Sequence, residues 1–382
     1  MRHLFSSVLS ALFVLVSGPA VAQLIETDAD YAVILDHDSG EVLYSKNGDD
    51  LMIPASMTKV MTAHIVFERL KTGEIQLDDQ FTVSERAWRE GGWATGGSTM
   101  GLGIGDTPTV AELLRGVIVL SGNDACIVLA EGLSGSEAAF AVEMTNLARS
   151  LGLNSATFKN ASGLDAEGHR ISAADLARLA SLTISEFPEF YELYAEESYE
   201  WRGIQQPNRN PLLGTLDGAD GLKTGRLSVS GFGLVGSAKR GNDRRIIVVN
   251  GLESAQARAQ EAERLMRFAF SAFETRTVQR AGQRLADLDV WMGSARTVGV
   301  TLQDDIPVTA HKRAFARGTS EIVYDSPLMA PISEGDHIAD LVITLEDKAP
   351  ITVPLHATES VEQLDFFGKA IEGLSYMISP SS

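Results

Sequence analysis

The hydrophobic period of the chain changes near residue 276, and one layered fold cannot accommodate both sides of that change. Before it, helical spacing alternates with strand-like runs. Val60, Met61, Ile65 and Leu70 share one side of a helix that Pro54-Ala55 opens and Gly73 closes. Two short helical runs, about 110–120 and 124–132, meet at Ser121-Gly122-Asn123, and further helices are predicted through 135–151, 172–184 and 255–270. Residues 31–36 and 41–45 read as a hairpin around Asp38-Ser39-Gly40, and strand signals return near Lys223, at 231–237 and at 246–250. After 276 the pattern is short apolar runs, at 288–291, 306–308, 322–324, 341–345 and 351–355, separated by turn residues. The sequence thus predicts an α+β domain over 23–276 and a small all-β domain over 277–364, with 365–382 as a terminal segment.

The two ends carry their own signals. Arg2 and His3 precede an apolar run over 4–16, then Gly18, Pro19 and the small-x-small stretch Ala20-Val21-Ala22. That pattern predicts a signal peptide over 1–22, cleaved before Gln23, because the apolar run is too short to span a bilayer. The mature chain is then expected in the periplasm; an uncleaved anchor is the alternative. At the other end Phe366, Phe367, Ile371, Leu374, Met377 and Ile378 can line one face of a helix. With Lys369 as its lone cation, such a helix gives only weak, peripheral membrane contact. Packing on the β domain, or no fixed structure, is the competing reading.

Composition excludes several function classes. A formal net charge of -19 repels phosphate backbones, so nucleic acid is not an expected partner. The seven histidines lack paired ligand spacing, so no metal is expected, and no other cofactor is implied. The single cysteine, Cys126, lies in an apolar run and reads as a buried small hydrophobe. The glycine-rich stretch 91–105 has no following Lys-Ser/Thr and no Gly-x-Gly-x-x-Gly, so it reads as a loop or a mobile flap, not a phosphate cradle.

Three short motifs remain: Ser56-Met57-Thr58-Lys59, Ser121-Gly122-Asn123 and Lys223-Thr224-Gly225. The first alone is a weak signal; the three in order, each in a fitting context, are strong. Residues i and i+3 share a helix face, which brings the Lys59 amine to the Ser56 hydroxyl. A serine hydroxyl needs such a base before it can attack a carbonyl. At a helix start, the Ser56 N–H can face a developing oxyanion. Ser121 and Asn123, at a helix break, would form a second wall. Lys223-Thr224-Gly225 would be an edge strand along which an extended peptide lies, with Gly225 admitting its backbone closely. Lys59 must be neutral to act as a base; partial burial and the second cation Lys223 would both lower its pKa.

The motifs resemble those of β-lactamases and penicillin-binding proteins, and the flanking residues narrow the likeness. Residues 31–47, 54–63, 121–126, 206–213 and 220–225 are similar to the low-molecular-mass penicillin-binding proteins that act as serine D-alanyl-D-alanine carboxypeptidases. The resemblance covers nearly the whole mature chain. It implies an antiparallel sheet flanked by helices, a helical subdomain and an active site between them, in a protein of cell-wall biogenesis. It implies that Ser56 attacks the penultimate D-alanine carbonyl of peptidoglycan stem peptides, that Lys59 is the base, and that β-lactams inhibit covalently. By the same resemblance the N–H groups of Ser56 and Arg226 form the oxyanion hole. Ser121 and Lys223 pass a proton to the departing D-alanine, and Asn123 holds the substrate amide. Thr224 and Arg258 take the terminal carboxylate, though Arg258 can also be a surface arginine paired with Glu261 or Glu253. Many relatives have histidine where this chain has Arg226. The rival readings are a D,D-endopeptidase, a serine β-lactamase, for which Glu189 lies in an unfitting context, and a non-catalytic wall-binding protein.

Overall fold

The computed structural model describes residues 25–346 and 348–371. Its first part is built on a five-stranded antiparallel sheet in the order Val42–Lys46, Tyr31–Asp36, Asp243–Leu252, Gly231–Arg240 and Ala219–Leu227. Successive strand side chains face opposite ways, and the two faces meet different cores. Ala32, Ile34, Ile247 and Val249 pack against Ala262, Leu265, Met266 and Ala269 of the helix Ala255–Ala272. Val33, Leu35, Ile246 and Val248 face the larger helical core, with Met61, Ile65 and Phe67 of the helix Lys59–Thr72. A sheet covered on both faces reads as unbroken apolar runs, which is why 246–249 is Ile-Ile-Val-Val.

The helices begin and end where local chemistry dictates. Gly73 closes Lys59–Thr72 in the left-handed region at φ 75. Thr109 and Glu112 form a reciprocal capping box on Val110–Ile118. Ser136, Ser172 and Ser254 each accept an N–H from the third residue of the helix that follows. The strand Ala219–Leu227, which carries the third motif, is the outer strand of the main sheet, so one of its backbone edges is open for pairing.

The second part has a separate core. Its six-stranded sheet runs Thr319–Val323, His337–Thr344, Ile351–Ala357, Thr297–Thr301, Ala286–Trp291 and Leu328–Met329, beside a pair formed by Phe273–Gln279 and Ile306–His311. Val298, Val300, Leu341 and Leu355 fill its interior. The architecture is therefore an α+β domain followed by an all-β domain. Phe273–Gln279, Thr297–Thr301 and the short helix Lys312–Arg317 were not anticipated from the sequence. Phe366, Phe367 and Ile371 lie in a helical segment with highly exposed side chains, whereas Leu374, Met377 and Ile378 lie outside the described residues.

Candidate active site

The site is organised by a tight turn rather than by a regular α-helix. Pro54, with φ -76 and no N–H, leads into a 3-10 turn over Ala55–Thr58, and Lys59 is the first residue of the α-helix. The expectation that Ser56 occupies the first α-helical turn is thus corrected. In a 3-10 turn residues i and i+3 eclipse, which places Lys59 more directly over Ser56 than an α-helix would. Lys59 Nζ donates to Ser56 Oγ at 2.8 Å.

The same amine is held on two further sides. It donates to Asn123 Oδ1 at 2.9 Å and to the Ser162 carbonyl at 2.7 Å, and Lys59 is only 1% exposed. Burial lowers its pKa to about 8, and the Arg209 guanidinium adds to the fall. Arg209 is a nearby cation that the sequence had not pointed to, beside the Lys59–Lys223 pair that it had. Lys223 is itself buried and held well below the ordinary lysine value, by burial first and then by the charges of Lys59 and Arg209.

Three glycines seat the turn. A side chain on Gly163, which has φ +80, would start 1.8 Å from the Ala55 carbonyl oxygen. One on Gly225 would start 2.7 Å from the Pro54 carbonyl oxygen, and one on Gly233 would start 2.7 Å from Met57 Cε. This adds a reason for Gly225 beyond close approach of a ligand: a side chain there would press on the nucleophile turn. Ala55 is a non-glycine residue at φ 49, a strained conformation that this packing enforces.

The second motif is tied to the glycine-rich stretch. Asp124 accepts from Thr99 Oγ1 at 2.7 Å and from the N–H groups of Met100, Gly101 and Leu102 at 2.8, 2.8 and 3.0 Å. Asn123 N donates to the Ser98 carbonyl at 2.9 Å. Residues 98–102 are therefore pinned to the helix Asn123–Ser134, which corrects the mobile-flap reading for that part of 91–105. Ser121 sits at φ 59, another non-glycine residue in the left-handed region, and is buried at the cavity wall.

These elements enclose a cavity of about 410 Å³. Ser56, Ser121, Asn123, Thr224, Gly225, Arg226 and Arg258 all line it, so the structure brings together seven of the nine candidate residues at one surface. Lys59 and Lys223 lie beneath that surface, almost without exposure. Arg258 is no paired surface residue: Glu261 binds Arg264 instead, and the buried Arg258 Nε has no hydrogen-bond partner. Among the described residues no acidic side chain lines the cavity, and Glu189 is exposed elsewhere in the short helix Pro188–Tyr191. Among the described residues no three His, Cys, Asp or Glu side chains converge as a metal site. Cys126 is fully buried, and burial pushes its thiol up to about 12, so it is an inert core residue.

Sequence reasoning missed Arg209, Asp124 and the Ser162 carbonyl as parts of the site. Arg209 lies inside 206–213, a stretch marked only by resemblance. The 160–163 turn had a local signal: Asn160 Oδ1 accepts from the N–H groups of Ser162 and Gly163 at 3.2 and 2.7 Å, an Asx turn that presents the Ser162 carbonyl to Lys59.

Comparisons with known proteins agree with this geometry. The Peptidase S11 profile, described as D-alanyl-D-alanine carboxypeptidase, matches residues 18–254. A second profile, described as penicillin-binding protein 5, C-terminal domain, matches residues 273–363. The chain is 36% identical over 356 residues to the D-alanyl-D-alanine carboxypeptidase DacC of Escherichia coli, covering 92% of this chain and 89% of that protein. It superposes on penicillin-binding protein 5 of Haemophilus influenzae with a TM-score of 0.75 at 33% identity, covering 90% of this chain and 100% of that one. Penicillin-binding protein D2 of Listeria monocytogenes, in its ampicillin-bound form, aligns at 32% identity and a TM-score of 0.57 over 65% of this chain and 99% of that one.

Proposed function

Because the chain belongs to the D-alanyl-D-alanine carboxypeptidase family, we propose that it removes the terminal D-alanine from peptidoglycan stem pentapeptides through an acyl-enzyme on Ser56. The observation that carries this reading is the 2.8 Å hydrogen bond between Lys59 Nζ and Ser56 Oγ, made by a lysine whose pKa burial lowers to about 8. Neutral Lys59 takes the Ser56 proton as Oγ forms a bond to the carbonyl carbon of the penultimate D-alanine. The N–H groups of Ser56 and Arg226 receive the oxyanion. As the C–N bond breaks, Ser121 and Lys223 deliver a proton to the departing D-alanine amine. Asn123 both anchors Lys59 and holds the substrate amide. Water then cleaves the Ser56 ester and restores the hydroxyl.

Substrate binding follows from charge. Thr224, with Arg258 opposite, takes the terminal carboxylate, while Gly225 keeps the Lys223 strand close to the nucleophile turn. An edge strand at the cavity suits an extended peptide. β-Lactams present the same amide and carboxylate and trap the enzyme as a Ser56 ester. The absence of an acidic side chain among the described residues that line the cavity counts against rapid β-lactam hydrolysis. Export and a periplasmic location, followed by work on the wall and on cell shape, rest on the signal pattern of residues 1–22. Weak peripheral membrane contact through 365–382 rests on the exposed Phe366, Phe367 and Ile371.

Mass spectrometry after incubation with a penicillin, beside a D-alanine release assay on a D-Ala-D-Ala peptide, tests the reading. A lasting adduct on Ser56 and D-alanine release by untreated enzyme are expected. Fast loss of the adduct with no D-alanine release would make it a β-lactamase. No adduct and no release would leave a wall-binding protein. Cleavage of cross-linked dimers in preference to pentapeptides would make it an endopeptidase.

A further inference from the structure

The cavity holds more positive charge than one terminal carboxylate requires. Arg209, Arg226 and Arg258 all line it, no acidic residue does, and none of the three makes an ion pair within the described residues. This is unusual for a chain with net charge -19. Arg244, by contrast, pairs with Asp220 of the same strand.

The register of the Lys223 strand sorts these arginines. Thr224 pairs with Leu234 and Arg226 with Phe232, without a bulge between them. Thr224 and Arg226 therefore share one face of the sheet, two residues and roughly 7 Å apart along the strand. That face meets the helix Ala255–Ala272, which supplies Arg258. Gly225, between them, faces the nucleophile turn. Phe232 is flanked by both guanidiniums, with Arg226 at 5.1 Å and Arg258 at 5.8 Å from its ring centroid. The ring fixes Arg226 in place while leaving its charge exposed at the cavity mouth.

The direction of a bound peptide follows. Its terminal carboxylate sits at Thr224 and Arg258. Along this strand the cavity is lined by Thr224, Gly225, Arg226 and Leu227, and by none of residues 219–223. The residues upstream of the scissile bond must therefore run toward Arg226. A strand at roughly 3.3 Å per residue puts the residue just before D-Ala-D-Ala within reach of that guanidinium.

We infer that Arg226 is a specificity-determining residue that binds a second carboxylate of the substrate, carried by the residue immediately before D-Ala-D-Ala. The enzyme thus favours acidic stem peptides over neutral or cationic ones. The inference rests on the carboxypeptidase reading, and its test separates the two.

The measurement is D-alanine release from two peptides that differ only at the residue before D-Ala-D-Ala, one with a free side-chain carboxylate and one with that group as a carboxamide. The wild-type enzyme is expected to prefer the carboxylate peptide by about tenfold in kcat/KM, mainly through KM. Arg226→Gln should bring that ratio close to one, Arg226→Lys should restore part of it, and Arg258→Gln should weaken both peptides alike. Rising salt should shrink the wild-type ratio. Cleavage of both peptides at equal efficiency by the wild type would overturn the inference and leave the carboxypeptidase reading standing. So would an unchanged ratio in Arg226→Gln. Failure to cleave either peptide would overturn both.

Discussion

Thr309 in the all-β domain donates its hydroxyl to Asp36 Oδ2 in the main sheet at 2.7 Å, across the seam between two separate cores. Asp36 also pairs with Arg245, and both side chains are essentially without exposure. A buried charge stripped of its partner costs far more than one lost neutral hydrogen bond. Asp36→Ala is therefore expected to destabilise the protein by about 3–5 kcal/mol, and Thr309→Val by about 1 kcal/mol. Guanidinium denaturation followed by tryptophan fluorescence reads both. Equally small losses would show that the Arg245 charge finds another partner.

Acylation should follow the charge of Lys59. Burial holds its pKa near about 8, below the ordinary lysine value, so the neutral fraction rises as pH rises toward 8 and levels off beyond it. The rate of penicillin acylation is expected to climb by about tenfold per pH unit between pH 6 and 7 and to flatten above 8. Lys59→Arg keeps the positive charge but cannot be deprotonated, and should lower acylation by about a hundredfold or more. A pH-independent rate, or full activity in the arginine variant, would remove Lys59 from the role of base.

Asp124 is expected to act through the stretch it pins. Its carboxylate accepts three consecutive N–H groups, from Met100, Gly101 and Leu102. Asp124→Ala leaves the buried Met100 and Leu102 N–H groups without this acceptor, while Gly101 keeps only Thr99 Oγ1, at a cost of about 3 kcal/mol or more. Hydrogen exchange should show faster exchange confined to these amides and to Asn123, whose N–H bonds the same stretch. Unchanged protection there would mean that the stretch is held by its own packing.

Much of this could be read from the residues, and the gaps have physical causes. Lys59 was legible because its partner is three residues away, and Ile246 and Val248 because a doubly covered strand is apolar throughout. Phe273–Gln279 escaped notice because Glu274 and Arg276, which pair with each other, break the apolar pattern. The hairpin Ser198–Trp201 and Ile204–Pro207 is marked only by Arg202-Gly203, both at positive φ, between short polar strands. Arg209 and the Ser162 carbonyl meet Lys59 across more than a hundred residues of chain, and no local period encodes such a meeting. At Gly225 the sequence could not show the close approach to the Pro54 carbonyl, because that group is also far away along the chain.

That last point yields a sharp test. Gly225 does not adopt positive φ, so alanine fits its strand conformation and the only obstacle is space. The new Cβ would lie 2.7 Å from the Pro54 carbonyl oxygen, 3.1 Å from Met57 Cγ and 3.2 Å from Ala55 Cβ. The Met57 side chain can turn aside, but the Pro54 carbonyl is backbone, so the whole nucleophile turn must shift away from the Lys223 strand. A displacement of that kind moves Ser56 relative to the Arg226 N–H and the carboxylate site, and a misplacement of about 1 Å can cost on the order of a hundredfold in rate. Gly225→Ala is therefore expected to keep its thermal midpoint within a few degrees while penicillin acylation falls by about ten- to a hundredfold. If acylation is instead unchanged and only peptide turnover suffers, the bare Cα serves the ligand side of the strand after all.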